Sequence, residues 1–250
     1  MVNIKSQSEI AKMRKAGQIT GGALVAAGKA IRPGMTTKEL DNVLLKYFKS
    51  HGAKAGFLGY GGFPGAACIS VNDVVIHGIP GGYVLKEGDI VSVDTGAYIG
   101  GFFGDSCKTF AVGEISDEAK ALMKSTEDSL YLAISMVKPG VRLGDIGAAI
   151  QKHNEDNGFG VVREFVGHGV GHDLHEDPEV PNFGKAGHGL RLREGMVIAI
   201  EPMITAGDPG VRVLDDGWTT VTKDHSLAAH FEHTIAVTAT GAMVLTDPND

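Results

Sequence analysis

Lys86-Glu-Gly-Asp-Ile-Val-Ser-Val-Asp94 and Arg193-Glu-Gly-Met-Val-Ile-Ala-Ile-Glu201 follow one pattern: a basic residue, Glu-Gly, then an apolar run that closes on a carboxylate. The two stretches lie 107 residues apart. A second pair, Ile31-Arg-Pro-Gly-Met-Thr-Thr-Lys-Glu-Leu40 and Val137-Lys-Pro-Gly-Val-Arg-Leu-Gly-Asp-Ile146, repeats at an offset of 106 residues. Pro-Gly after a helix and Glu-Gly before a strand are common punctuation, but two matches in the same order at nearly one offset point to duplication. The chain reads as a single domain, 1–250, built from two related halves, about 8–113 and 116–240, packed about a pseudo-two-fold axis.

The surrounding sequence gives each half the same content. A helix is expected over 8–30, with Ser6 or Ser8 as cap and Ile10, Met13, Ile19 and Leu24 near helical spacing; Arg32-Pro33-Gly34 stops it. Thr36-Thr-Lys-Glu39 is a capping-box pattern opening a second helix over 37–51. Strand-like runs follow at 67–71, 89–95 and 107–112, then two more helices at 116–137 and 143–157. Helices followed by strands within each half predict an α+β fold rather than alternating βαβ units.

Composition narrows the class. The chain has 250 residues, 43% apolar and 21% charged, enough for a sound core. Its net charge of −7, without a Lys/Arg run, argues against direct nucleic-acid specificity. The N-terminus lacks the apolar core of a signal peptide, and no apolar run approaches the ~20 residues of a membrane span. Two cysteines, Cys68 and Cys107, cannot make a disulfide framework, so a reducing, cytoplasmic setting is expected. The 36 glycines cluster between apolar runs, marking frequent tight turns.

Chemistry concentrates on the repeated stretches. The repeat superposes Asp94 on Glu201, each closing an apolar run where burying a carboxylate is costly without a partner or a metal. Gly100-Gly101 offers a hairpin turn that returns Asp105 roughly opposite Asp94. Facing strand residues have Cβ atoms ~5 Å apart, so two such acids repel unless a cation sits between them. Glu232, in Phe231-Glu-His-Thr-Ile-Ala-Val237, is a third acid on a β-like run. With His168 the set is four carboxylates and one imidazole, which suits two divalent ions ~3.5–4 Å apart. Oxygen-rich ligation with one nitrogen favours Mn(II), Fe(II) or Co(II) over thiolate-bound zinc.

In Gly167-His-Gly-Val-Gly-His-Asp-Leu-His175, His168, His172 and His175 have helical spacing, yet the alternating glycines oppose a helix. His168 is therefore read as a ligand in an extended segment, His175 as a catalytic acid or hydrogen-bond donor on the following loop, and His172 as a structural neighbour. A lone His77 after Val74-Val-Ile would more often be a core residue, but Phe165-Val-Gly-His168-Gly-Val resembles its context and moves it toward the site. No phosphate-binding loop or serine-nucleophile elbow is present.

Taken together, Val-Ile-His77-Gly-Ile-Pro, Val-Asp94-Thr-Gly, Gly-Asp105-Ser, Gly-His168-Gly-Val-Gly, Ile-Glu201-Pro and Phe-Glu232-His-Thr resemble the type I methionine aminopeptidases, from about residue 4 to 245. The resemblance implies the pita-bread fold: two pseudo-symmetric halves around a curved antiparallel sheet, helices outside, metals at the centre of a single catalytic domain. It implies that Asp94 and Asp105 hold one ion, that His168 and Glu201 hold the other, and that Asp105 and Glu232 bridge. It further implies a bridging hydroxide as nucleophile, Glu201 as proton acceptor, His175 stabilising the oxyanion or scissile amide, and His77 helping to protonate the leaving amine. One ion anchors the substrate's free α-amine.

By the same resemblance, Tyr60, Phe63, Cys68 and Trp218 form the methionine pocket, with His77 and His175 at its rim. Phe57 and Phe63 depart from the cysteine and tyrosine of the best-known members, which alters that wall. The implied substrate is the initiator methionine of nascent chains before a small second residue, removed by a compact, bacterial-type monomer that meets the ribosome transiently. Prolidases and aminopeptidase P share the ligands but carry a separate N-terminal domain for which 250 residues leave no room. Non-catalytic binding relatives typically lose ligands, and all five are present here.

Overall fold

Ser6 opens the first helix, α1 (Gln7–Ala30): the Ser6 hydroxyl accepts the Glu9 N–H while the Glu9 carboxylate accepts the Ser6 N–H at 2.7 Å. Thr36 and Glu39 make the same reciprocal box at α2 (Thr37–Ser50). Ser116 caps α3 (Asp117–Met136). At α4 (Leu143–Asp156), Asp145 accepts the Arg142 N–H at 2.9 Å, in the place Glu39 takes in the first half. The structure, a computed structural model, describes residues 2–249; the two ends of the expected 1–250 unit, Met1 and Asp250, lie outside the described residues. All four expected helices form within a residue or two of their expected bounds.

The strands differ more from expectation. Gly100 and Gly101, both at positive φ (63° and 87°), make the turn, and the strands it joins run Ile90–Ile99 and Phe102–Ala111. A two-residue turn fixes the register from Ile99↔Phe102 inward, so Asp94 faces Cys107 and Asp105 faces Gly96. The expectation that Asp105 stands opposite Asp94 is thus corrected by two residues. Both carboxylates still share one face, as diagonal neighbours in mid-strand, because side-chain direction alternates with period two.

These strands belong to a nine-stranded sheet, antiparallel in every pairing: Lys54–Ala55, Ile90–Ile99, Phe102–Ala111, Glu232–Val237, Val197–Ile200, Gly167–Gly169 and Glu176–Val180 in order. Ala67–Val71 adds to Ile90–Ile99, and Ala242–Val244 to Glu232–Val237. The two repeated strands flank the central pair, one from each half. Local hydrogen bonds are also duplicated. The Gly34 N–H donates to Leu85 O and that of Leu85 to Met35 O; the Gly140 N–H donates to Leu192 O and that of Leu192 to Val141 O.

Each half has its own core. α1 and α2 cover the Ile90–Ile99 side with Leu40, Leu44, Phe48, Val91 and Val93; α3 and α4 cover the other with Leu122, Leu130, Ile146, Ile198 and Ile235. The helices therefore occupy one side, and the other is free to carry the acids. Among the described residues, no helix is long and apolar enough to cross a membrane.

Candidate metal centre

Five side chains from five segments converge on that helix-free face. Asp94 and Asp105 come from the hairpin, Glu201 from just beyond Val197–Ile200, Glu232 from the start of Glu232–Val237, and His168 from Gly167–Gly169. All five line one cavity of about 160 Å³. Ligand atoms of Asp105, His168 and Glu232 lie within 4.8 Å of one another. His168 Nε2 stands 3.6 Å from Asp105 Oδ2 and 3.5 Å from Glu201 Oε1. The extended setting read for His168 follows from Gly167 and Gly169, whose missing Cβ atoms would otherwise meet Ala199 O and Asp177 O at 2.4 and 2.2 Å.

The donor set tests whether cations fit. His168 Nδ1 is 2.9 Å from Gly169 O, so Nδ1 carries the proton and Nε2 presents a lone pair to the two acids. One oxygen each of Asp94, Asp105, Glu201 and Glu232 is buried without a hydrogen-bond partner. Converging carboxylate oxygens left without partners are costly to bury when ionised unless a cation sits among them; without one they hold protons instead. The carboxyl groups respond accordingly. Burial raises Asp94 to about 7 and Glu201 to about 8. Burial and the neighbouring acids push Asp105 and Glu232 well above the carboxylate range. Burial, reinforced by His175, lowers His168 to about 3 and so keeps its imidazole neutral and available.

Around the acids stand the expected pocket residues. Tyr60, Phe63, Cys68 and Trp218 line the cavity, joined by Phe57, Ile76 and Leu174. Phe63 and Trp218 pack edge to face with centroids 5.2 Å apart. His175 lies at the mouth, its Nδ1 2.9 Å from the Tyr60 hydroxyl and its ring 4.2 Å from that of His168. His77 follows the Val74–Ile76 strand at φ 58°, a left-handed conformation unusual for His, and sits edge-on to Phe165 and Trp218. Burial, with His230 and His175 nearby, lowers His77 to about 4. His172 stays outside, exposed against Phe102 with Nδ1 2.8 Å from Gly101 O, in keeping with a structural role.

Sequence reasoning missed His230, which is buried in the same cavity with Nε2 3.6 Å from Glu201 Oε2. A signal existed: His230 precedes Glu232 by two residues, the spacing of side chains on one face of an extended chain. The cavity's Leu174 was missed as well, between Asp173 and His175 on an irregular loop that carries no periodic pattern.

Paired antiparallel halves around buried, donor-poor carboxylates define a pita-bread metallohydrolase. The chain belongs to metallopeptidase family M24, whose profile matches residues 11–239. A methionine aminopeptidase of Clostridium perfringens is 51% identical over 246 residues, covering 98% of this chain and 99% of that protein. The crystal structure of a methionine aminopeptidase from Thermotoga maritima superposes with a TM-score of 0.97 at 51% identity, over 98% of this chain and 99% of that one. The prolidase of Pyrococcus furiosus shares the fold at a TM-score of 0.78 and 24% identity, but this chain, 97% of which is matched, spans only 65% of it.

Proposed function

We propose that this chain hydrolyses the peptide bond after an N-terminal methionine when the second residue is small, with two divalent ions held by Asp94, Asp105, His168, Glu201 and Glu232. The observation that carries the reading is the orphaned carboxylate oxygens at the floor of an aromatic, sulfur-bearing cavity. Asp94 and Asp105 would hold one ion and His168 and Glu201 the other, with Glu232 completing the set; Mn(II), Fe(II) and Co(II) suit these oxygen-rich donors. Bound there, such ions would supply Lewis acidity and lower the pKa of a water at the site toward neutrality.

The chain's own groups do the rest. Glu201 accepts the proton of the attacking water and passes it to the departing amine. His175, its Nδ1 engaged by Tyr60, presents Nε2 to the carbonyl oxygen as charge develops there. His77 is held neutral by burial, so it hydrogen-bonds the departing amine rather than protonating it. Its strained backbone is the kind of local cost that persists where a side chain must be aimed. Phe57, Phe63, Cys68, Leu174 and Trp218 enclose the methionine side chain, whose thioether gains from aromatic contact.

In this reading 1–250 is one catalytic domain of two halves, about 8–113 and 116–240. It works as a cytoplasmic monomer on nascent chains, meeting the ribosome transiently. The test is release of methionine from Met-Ala-Ser, against hydrolysis of an Ala-Pro peptide, by chelated enzyme resupplied with Mn(II), Fe(II), Co(II) or Zn(II). Metal-dependent cleavage of Met-Ala-Ser is expected, and Asp105→Ala should abolish it. Cleavage of Ala-Pro alone, or full activity of Asp105→Ala, would refute the assignment.

A further inference from the structure

His230 is a buried imidazole that the reaction above does not use. It is 2% exposed, and neither ring nitrogen has a hydrogen-bond partner. Leaving a buried donor or acceptor unsatisfied is destabilising, so such a ring calls for a partner that forms in the working state. Its backbone is held from several sides. The His230 N–H donates to Thr109 Oγ1 at 3.0 Å, while Thr109 Oγ1 (2.8 Å) and Cys107 Sγ (3.4 Å) both donate to His230 O. Register pairs His230 with Met203, two residues past Glu201. The ring is therefore aimed rather than free to turn away.

Glu201 stands between two histidines, with Oε1 3.5 Å from His168 Nε2 and Oε2 3.6 Å from His230 Nε2. The two rings differ in one respect. His168 spends its Nδ1 proton on Gly169 O and offers a lone pair at Nε2, whereas His230 has no partner at Nδ1 to impose that tautomer. His230 can therefore carry its proton on Nε2, facing the carboxylate. We infer that His230 is a positioning residue of the metal centre: its Nε2–H donates to Glu201 Oε2 and turns Oε1 toward the cation site. One-sided anchoring of this kind fixes a ligating carboxylate, and loss of such a partner typically weakens metal binding ~10–100-fold.

The inference rests on the metal centre proposed above, and the experiment separates the two. Chelated full-length wild type, His230→Leu and His230→Gln are titrated with Co(II) by calorimetry and visible absorption, melted without metal, and assayed on Met-Ala-Ser. Metal-free His230→Leu should melt no lower than wild type, because it loses an orphaned polar group. Its Co(II) affinity should fall by ~10–100-fold with an altered d–d spectrum, and kcat should fall while KM stays within about twofold. His230→Gln, whose amide can donate to the same oxygen, should recover most of the affinity and the spectrum. Unchanged Co(II) affinity and spectrum in His230→Leu would reduce His230 to a core residue and overturn the inference. Loss of one Co(II) equivalent that His230→Gln does not restore would make it a direct ligand, also against the inference. Wild type that binds no Co(II) would instead remove the metal centre itself.

Discussion

His175 approaches the acids from the loop before Glu176–Val180, and its Nδ1 lies 2.9 Å from the Tyr60 hydroxyl, which leaves Nε2 for another partner. In the proposed reaction His175 donates to developing charge and holds no ion, so His175→Ala should bind Co(II) in wild-type stoichiometry yet lose ~10²–10³ in kcat. Steady-state kinetics beside metal analysis checks this; a metal-depleted variant would mean that His175 is a ligand. Phe57, Phe63 and Trp218 line the same cavity, where the proposed function places the methionine side chain. Methionine's sulfur–aromatic contacts are worth ~0.3–1.5 kcal/mol, and leucine loses them while adding a branch. On Xaa-Ala-Ser peptides, kcat/KM for Leu should fall more than about tenfold below Met, and Lys should be nearly inert because its charge would be buried unpaired. Met-Xaa-Ser peptides should be cut only when Xaa is small, because the proposed function sets the next residue beside His77 and His175. Equal rates for Met and Leu would overturn the methionine assignment while leaving the metals in place.

α1 packs on both strands of the central hairpin, directly beside Asp105. Thr20 Oγ1 accepts the Ala97 N–H at 2.9 Å and contacts Gly104 O at 3.1 Å, tying the helix to both hairpin strands. The contact is close because Gly104 has no side chain. A Cβ there would come within 2.5 Å of Gly17 N and 2.7 Å of Ala16 C, and both of those atoms are backbone. Gly104→Ala must lift the helix or push the strand, and overpacking of this kind costs ~1–3 kcal/mol. In a chain of this size each 1 kcal/mol lowers Tm by ~2–4 °C. Thermal melting should show the loss, and Co(II) affinity should drop with it because Asp105 is the next residue. An unshifted Tm would mean that the helix yields without cost.

Across the whole molecule, one cluster of acids couples metal, pH and stability. In metal-free protein burial raises Asp94 to about 7 and Glu201 to about 8, with Asp105 and Glu232 displaced the same way. The folded state then keeps protons that unfolded carboxylates release near pH ~4, so stability falls as pH rises from there through the folded values. His168 at about 3 and His77 at about 4 act in the opposite sense, adding stability as pH rises to their unfolded value of ~6.5. The acids alone therefore govern the window from about pH 7.5 to 8.5, where the imidazoles are neutral in both states. Chelated protein should melt progressively lower across it, and saturating Co(II) should abolish or invert that slope by binding the ionised acids. A flat or rising metal-free profile would contradict a cluster of buried, unpaired carboxylates.

The helices, their caps and the duplicated carboxylates are legible in the sequence because each depends on nearby residues. Thr36 with Glu39 closes a box within one turn, and Asp94 and Glu201 each follow an apolar run that can be read directly. Pairing across strands is not local. Asp94 faces Cys107 because the hairpin spends two residues on its turn, and His230 meets Glu201 because separate strands carry them into one cavity. No period in the chain encodes such meetings. They arise when two halves, each burying its own apolar face under its own helices, are brought together along the central strand pair, and that packing alone sets the distances between acids that lie far apart in sequence.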